Sequence, residues 1–120
     1  MQVRLVRTYN FEAAHQLPNV PPGHKCARVH GHSFGVEIVV QGPVDPKLGW
    51  CIDYGDIDAI WQPLYQSFDH HCLNEIPGLE NPTSEILARF IWDYFKERIH
   101  NLVRVVVMET KDTRCEYEGN

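Results

Sequence analysis

The sequence predicts an α+β domain: a four-stranded antiparallel sheet with two helices on one face, in the order strand, strand, helix, helix, strand, strand. Three observations predict it. Two neighbouring stretches in the middle of the chain carry apolar residues at helical spacing. Alternating or β-branched runs flank them on both sides. No repeat, low-complexity tract or linker interrupts the 120 residues, so residues 1–120 read as one domain. Strands close in sequence pair as antiparallel neighbours, and both helices then cover a common face.

Each element has its own warrant. Val3, Leu5 and Phe11, with Arg4 and Arg7 between them, mark the first strand. The Pro- and Gly-rich segment "LPNVPPGHK" follows, and a loop of that length inside a domain is usually functional or disordered. It leads into Cys26, which favours function. "HSFGVEIVVQG" reads as the second strand, ended by Gly42-Pro43, and "VDPKLGW" is turn chemistry. From Tyr54 to Phe68 the set Ile57, Ile60, Trp61, Leu64 and Phe68 follows helical spacing, with a kink expected at Pro63. For the second helix, Asn81 is the expected N-cap, Pro82 the first helical residue and Glu85 a first-turn acid. Ile86, Leu87, Phe90, Ile91, Tyr94 and Phe95 make its apolar stripe, opposite Arg89, Asp93 and Lys96. "LVRVVVMET" and "CEYEG" supply the last two strands. Such a sheet leaves two open edges, which predicts that they are covered by self-association.

Composition narrows the function. The chain is 43% hydrophobic and 22% charged, as ordinary globular proteins are. A net charge of −5 argues against a nucleic-acid surface but leaves room for a local basic patch that takes a small anion. "MQVRLVRTYNFEAAH" has no apolar signal core, and no run approaches the roughly 20 apolar residues of a membrane span. The expectation is therefore a cytoplasmic protein with no membrane partner. Cys26, Cys51, Cys72 and Cys115 are irregularly spaced with no CxxC pair, which does not suit a disulfide framework.

The chemistry concentrates in "HKCARVHGH". His30 and His32 are two apart at a strand start, so both imidazoles point to one face. His15 closes the first strand in "FEAAH", and a hairpin spanning the long loop would set it beside that pair. Three imidazoles suit Zn²⁺, with a fourth position left for water or substrate. Cys26 is either a fourth ligand closing a structural site or a reactive group beside an open one. In "FDHHCL", Asp69 offers His70 an orienting carboxylate, although adjacent residues bond each other well only within a turn. The alternative there is a helix end favouring His. Cys72 reads as a small buried hydrophobe. Glu109, ending an apolar strand, either sits in water or anchors a ligand.

These motifs resemble the 6-pyruvoyl-tetrahydropterin synthase family. The likeness runs along the whole chain through "FEAAHQLP", "HKCARVHGHSF", "DPKLGWCIDY", "FDHHCLNEIPGLENPTSE", "IWDYF" and "VMET". The CxxxHGH spacing is similar to that of the bacterial 6-carboxy-tetrahydropterin synthases of queuosine (7-deazapurine) biosynthesis. The pyruvoyl-forming branch tends to have a longer gap. The resemblance implies the tunnelling fold (T-fold), with His15, His30 and His32 as zinc ligands. It implies Cys26 as the catalytic thiol working with Asp69 and His70. It implies that Glu109 holds the pterin by its 2-amino and N3 edge, with Thr83 and Ser84 nearby. The implied substrate is 7,8-dihydroneopterin triphosphate, and the implied products are 6-carboxy-tetrahydropterin, acetaldehyde and triphosphate. It also implies a homohexamer, two stacked trimers with active sites between subunits. Phe68 stands where relatives often have Leu, and Ala27 where they often have Gly. Two alternatives remain at this level: a pyruvoyl product, and a non-catalytic module held by a closed site of Cys26 and the three histidines.

Overall fold

The alternation that begins at Val3 continues further than the first apolar residues mark. In the computed structural model, which describes all 120 residues, strand β1 runs Gln2–His15 and pairs antiparallel with β2, His30–Pro43. The register is continuous from Gln2↔Pro43 to His15↔His30. β3 (Leu102–Met108) pairs with β2, and β4 (Cys115–Tyr117) with β3, so the sheet order is β1-β2-β3-β4. Helix α1 (Tyr54–Phe68) and helix α2 (Ser84–Lys96) fill the connection between β2 and β3. This is the predicted four-stranded antiparallel sheet with two helices. No helix is long and apolar enough to cross a membrane.

Period-two alternation decides which residues meet the helices. Tyr9, Phe11 and Ala13 of β1, Phe34, Val36, Ile38 and Val40 of β2, and Leu102, Val105 and Val107 of β3 join one core cluster. Ile57, Trp61, Leu64 and Phe68 enter it from α1, as their spacing predicts, and Ile60 packs at its margin. Pro63 does not end α1. From α2 the buried residues are Leu87, Ala88, Ile91, Trp92 and Phe95. The buried stripe is thus turned toward Ala88 and Trp92, leaving Ile86, Phe90 and Tyr94 only half-buried.

The start of α2 corrects the sequence reading. Thr83, not Asn81, is the N-cap: its Oγ1 accepts from Ile86 N–H at 3.2 Å. Pro82 lies before the helix, buried, in the stretch that approaches β1. Both Asn81 and Thr83 are good capping residues, so composition alone could not choose between them. Glu85 is in the first turn, as expected.

Aromatic packing ties the helices to the site end of the sheet. Phe11 stacks on Phe34 at 5.1 Å, and Phe68 lies 5.1 Å from Phe11 and 6.2 Å from Trp61. Phe68 is fully buried and immediately precedes Asp69. Phe68→Ala should therefore cost about 3–5 kcal/mol of stability, read as a lower urea midpoint. A shift below about 1 kcal/mol would mean that the site end is not held by this cluster.

Candidate functional site

At the loop end of the β1–β2 hairpin the core face changes from apolar to imidazole. The rows that carry Phe11, Ala13 and Phe34 continue into His15, His30 and His32. His15 faces His30 directly across the pair, and His32 faces Ala13 one step further in. The ring centroids of the three histidines lie 4.6–5.1 Å apart. One ring nitrogen from each can be chosen so that all three lie within 4.8 Å of one another. Gly31, between the pair, is not demanded by the backbone: a Cβ there would meet only Ala13 O, at 3.5 Å. What it does is leave the opposite face clear where Gly31 borders two clefts.

The hydrogen bonds around these rings prepare them as ligands. His15 Nδ1–H donates to Pro82 O at 2.8 Å, and His30 Nδ1–H donates to Arg28 O at 2.7 Å. A carbonyl accepts only from a protonated ring nitrogen, so the neutral form of either ring presents its lone pair at Nε2. Backbone acceptors that orient metal-binding imidazoles are the usual second layer of such sites. Nε2 of His15 and of His32 is buried without a hydrogen-bond partner. Burial also lowers the His32 pKa from the ordinary imidazole value, keeping that ring neutral, while the Glu109 carboxylate pulls the other way.

Glu109 completes the picture. Its Oε1 stands 3.1 Å from His15 Nε2 and 3.4 Å from His32 Nε2. The resemblance gives this residue to the pterin edge; here its carboxylate rests against the histidines. With Nδ1 carrying the proton, the Glu109–His15 approach sets two lone pairs face to face. Such a juxtaposition needs a cation or a further proton between the groups. Orphaned buried nitrogens and fixed tautomers make the three histidines a donor set that fits a divalent ion such as zinc.

Cys26 is a free, half-buried thiol on a 3-10 turn, Lys25–Ala27. It shares a cleft of 410 Å³ with Lys25, His30, His32, Glu109 and Thr110. Its sulfur is nevertheless outside the group of mutually close donors. The backbone around it is fixed, since Leu17 N–H donates to Cys26 O at 2.8 Å and His24 Nδ1 accepts from Cys26 N–H at 3.0 Å.

Asp69 and His70 meet through the turn that their adjacency requires. His70 has φ of +59°, a left-handed conformation that costs a non-glycine residue about 1–2 kcal/mol. Its N–H donates to Glu12 O at 2.6 Å, and its Nδ1 lies 2.8 Å from Asp69 Oδ2. Asp69 Oδ1 accepts from Glu12 N–H at 2.9 Å. That backbone bond, with the His70 contact second, holds the Asp69 pKa below its usual value. His70 lines a different cleft from Cys26, and His32 borders both. The structure therefore gathers the metal-type donors and Cys26, and places the Asp69–His70 pair beside them without a direct thiol contact.

Thr83 spends its Oγ1 on the α2 cap, and Ser84 Oγ donates to Glu85 Oε1 at 2.8 Å. The residue before them, Pro82, reaches His15 through its carbonyl. Sequence reasoning missed the carbonyls of Pro82 and Arg28, and missed Glu12, because each acts through its backbone. No residue type advertises that role.

Two expectations follow. His30→Ala should weaken divalent-metal binding at least ~100-fold by chelator competition, with the fold retained by circular dichroism; unchanged affinity would remove His30 from the donor set. For Asp69 the folded pKa is depressed, so its contribution is present above the usual carboxylate range. It is lost as pH falls through the lower folded value. Asp69→Asn should then be less stable than the parent at pH 7, with the two urea midpoints converging below about pH 4. Parallel curves across that range would contradict the assignment.

The family model for 6-pyruvoyl tetrahydropterin synthase matches residues 4–120. A 6-carboxy-5,6,7,8-tetrahydropterin synthase of Synechocystis sp. is 35% identical over 119 residues, covering 94% of this chain and 91% of the relative. A putative synthase of the same name from Archaeoglobus fulgidus is 39% identical over 108 residues, covering 89% and 88%. Among solved structures, the 6-pyruvoyl tetrahydropterin synthase of Caenorhabditis elegans superposes with a TM-score of 0.92 at 24% identity, covering 100% of this chain and 97% of that one. The ββααββ order and sheet pairing are thus those of the tunnelling fold. With the match spanning nearly every residue, the chain belongs to the 6-pyruvoyl tetrahydropterin synthase family.

Proposed function

We propose that this chain is a zinc-dependent 6-carboxy-tetrahydropterin synthase. It would convert 7,8-dihydroneopterin triphosphate to 6-carboxy-5,6,7,8-tetrahydropterin with release of acetaldehyde and triphosphate, as a cytoplasmic lyase of queuosine biosynthesis. One observation carries the reading. Cys26 lines the same cleft as His30 and His32, yet its sulfur lies outside the donor group. That separation suits a reactive thiol beside an open metal position better than a closed Cys–His₃ site. Among family members, the relatives named for the carboxy product favour that outcome over the pyruvoyl one, as does the short Cys26–His30 spacing.

The residue roles in this reading combine the geometry with what the family resemblance implies. His15, His30 and His32 hold the ion through Nε2, with Pro82 and Arg28 carbonyls fixing two of the rings. Zinc, when bound, supplies Lewis-acid stabilisation of negative charge developing on the substrate's side-chain oxygens. Cys26, as thiolate, removes a carbon-bound proton. His70, oriented by Asp69, exchanges protons with the reacting side chain from the neighbouring cleft. Glu109 serves the substrate: with the histidines engaged by the ion, its carboxylate is free to accept the pterin's N–H donors. In this reading Thr83 and Ser84 keep the pterin-side role that the family resemblance implies. The outer edge of β1 and the three-residue β4 leave the sheet open at both sides. Closing those edges in a homohexamer of two trimers, with sites between subunits, is the assembly we assign.

Incubation of the zinc-loaded protein with dihydroneopterin triphosphate tests the reading by product. Acetaldehyde with a 6-carboxy pterin is the expected result, and a pyruvoyl pterin would replace this assignment with the alternative. Cys26→Ala should keep one zinc per chain and lose turnover by roughly 10²–10⁴-fold. Loss of the metal in that variant would instead make Cys26 a ligand.

A further inference from the structure

We propose that the loop 23–28 is an anion cradle, in which His24, Lys25 and Arg28 receive the polyphosphate tail of the substrate and hold it as it leaves. The proposal rests on the pterin-phosphate reading above and extends it to residues that reading leaves without a role.

Four observations carry it. First, a second cleft of 440 Å³ is lined by Gly23, His24, Lys25, Ala27 and Arg28, and no carboxylate borders it. Lys25 also lines the cleft of Cys26, His30 and His32, so the two spaces share a wall. Second, Lys25 and Arg28 have no carboxylate partner. Arg4, Lys47, Arg89, Lys96 and Lys111 also lack one, so what sets Lys25 and Arg28 apart is that both line a single cleft without a carboxylate. Arg7, Arg98, Arg104 and Arg114 all form ion pairs within 4.0 Å. Two cations lining one cleft give it a positive potential that suits an anion.

Third, the loop is fixed where it matters. Arg28 O receives the His30 Nδ1 proton, and Cys26 O receives Leu17 N–H. The cationic side chains are therefore hung from the same backbone that sets a metal-type ligand and the thiol. Fourth, His24 is committed to one tautomer. Its Nδ1 accepts Cys26 N–H, so its ring proton sits on Nε2, a donor with no partner in the chain. An arginine fork, an ammonium and an imidazole N–H make a set of donors and no acceptors, which is the chemistry of phosphate recognition. Their exposure means the contact weakens with salt.

The cradle also accounts for a directional need. A tail held at 23–28 lies on the Cys26 side of the histidines, so the carbons between pterin and phosphate must cross the thiol and the metal position. Holding both ends converts encounter into positioning.

The test uses the zinc-loaded full chain and inorganic triphosphate as probe, by calorimetry. The parent should bind triphosphate, with affinity falling as ionic strength rises. The Lys25→Ala/Arg28→Ala variant should bind it at least about tenfold more weakly, since one charge-assisted contact accounts for roughly that factor. Zinc content and circular dichroism report whether the variant is intact. Arg28→Lys should recover part of the loss. Undiminished triphosphate binding in the intact double variant would overturn the cradle. Steady-state kinetics separates this from the function reading. A raised KM for the triphosphate substrate places the substrate's tail in the cradle. An unchanged KM with weakened binding of free triphosphate would overturn the substrate-tail role. Binding that depends on these two residues in a protein that turns over no pterin would sink the function reading and leave the anion site standing.

Discussion

The pairing of His15 with His30 across the β1–β2 hairpin is the constraint on which the site depends. Strand side chains alternate between faces, so this register puts His15, His30 and His32 on the side that also carries Phe11 and Phe34. A slip of one residue would turn the imidazoles of one strand to the other face and break the donor set. The register is protected by the core itself, because the same slip would expel Phe34, Val36 and Ile38 into water. Stability and site geometry are consequently held by one set of contacts. The histidines are the last rungs of a ladder whose other rungs are apolar.

The site's second half is built on different terms. Asp69 and His70 lie where α1 ends, and their side chains meet only because His70 takes a left-handed backbone conformation. The Glu12 backbone holds that turn at both its amide and its carbonyl. β1 thus carries a metal-type ligand on one face and, three residues earlier, the brace for an acid–base pair. Helix packing through Phe68 sets how far the turn can drift from the strand.

Much of this was legible in the residues. Helical spacing located both helices, alternation marked the first strand, and a β-branched run marked β3, whose Val105, Val106 and Val107 are buried on both faces. The HGH spacing with His15 marked the donor set, since strand geometry alone brings those residues together. The α2 start was not legible: Asn81 and Thr83 are both able caps, and the choice follows from where Pro82 is buried. Nor was the position of Glu109 against His15 and His32, because the end of β3 meets the hairpin through sheet order rather than sequence distance. The turn at His70 needed a positive φ that nothing in "FDHHCL" announces.

Two of the three imidazoles are steered by carbonyl oxygens, those of Pro82 and Arg28. A carbonyl is present whatever the side chain, so alanine at position 82 would report on the packing of the buried proline ring and leave the acceptor itself in place. The group is reached only by changes that redirect the chain: an insertion, a deletion, or a residue that cannot follow the bend. In this chain it is the path of the backbone through residues 81–83, more than the side chain at 82, that sets the His15 ring.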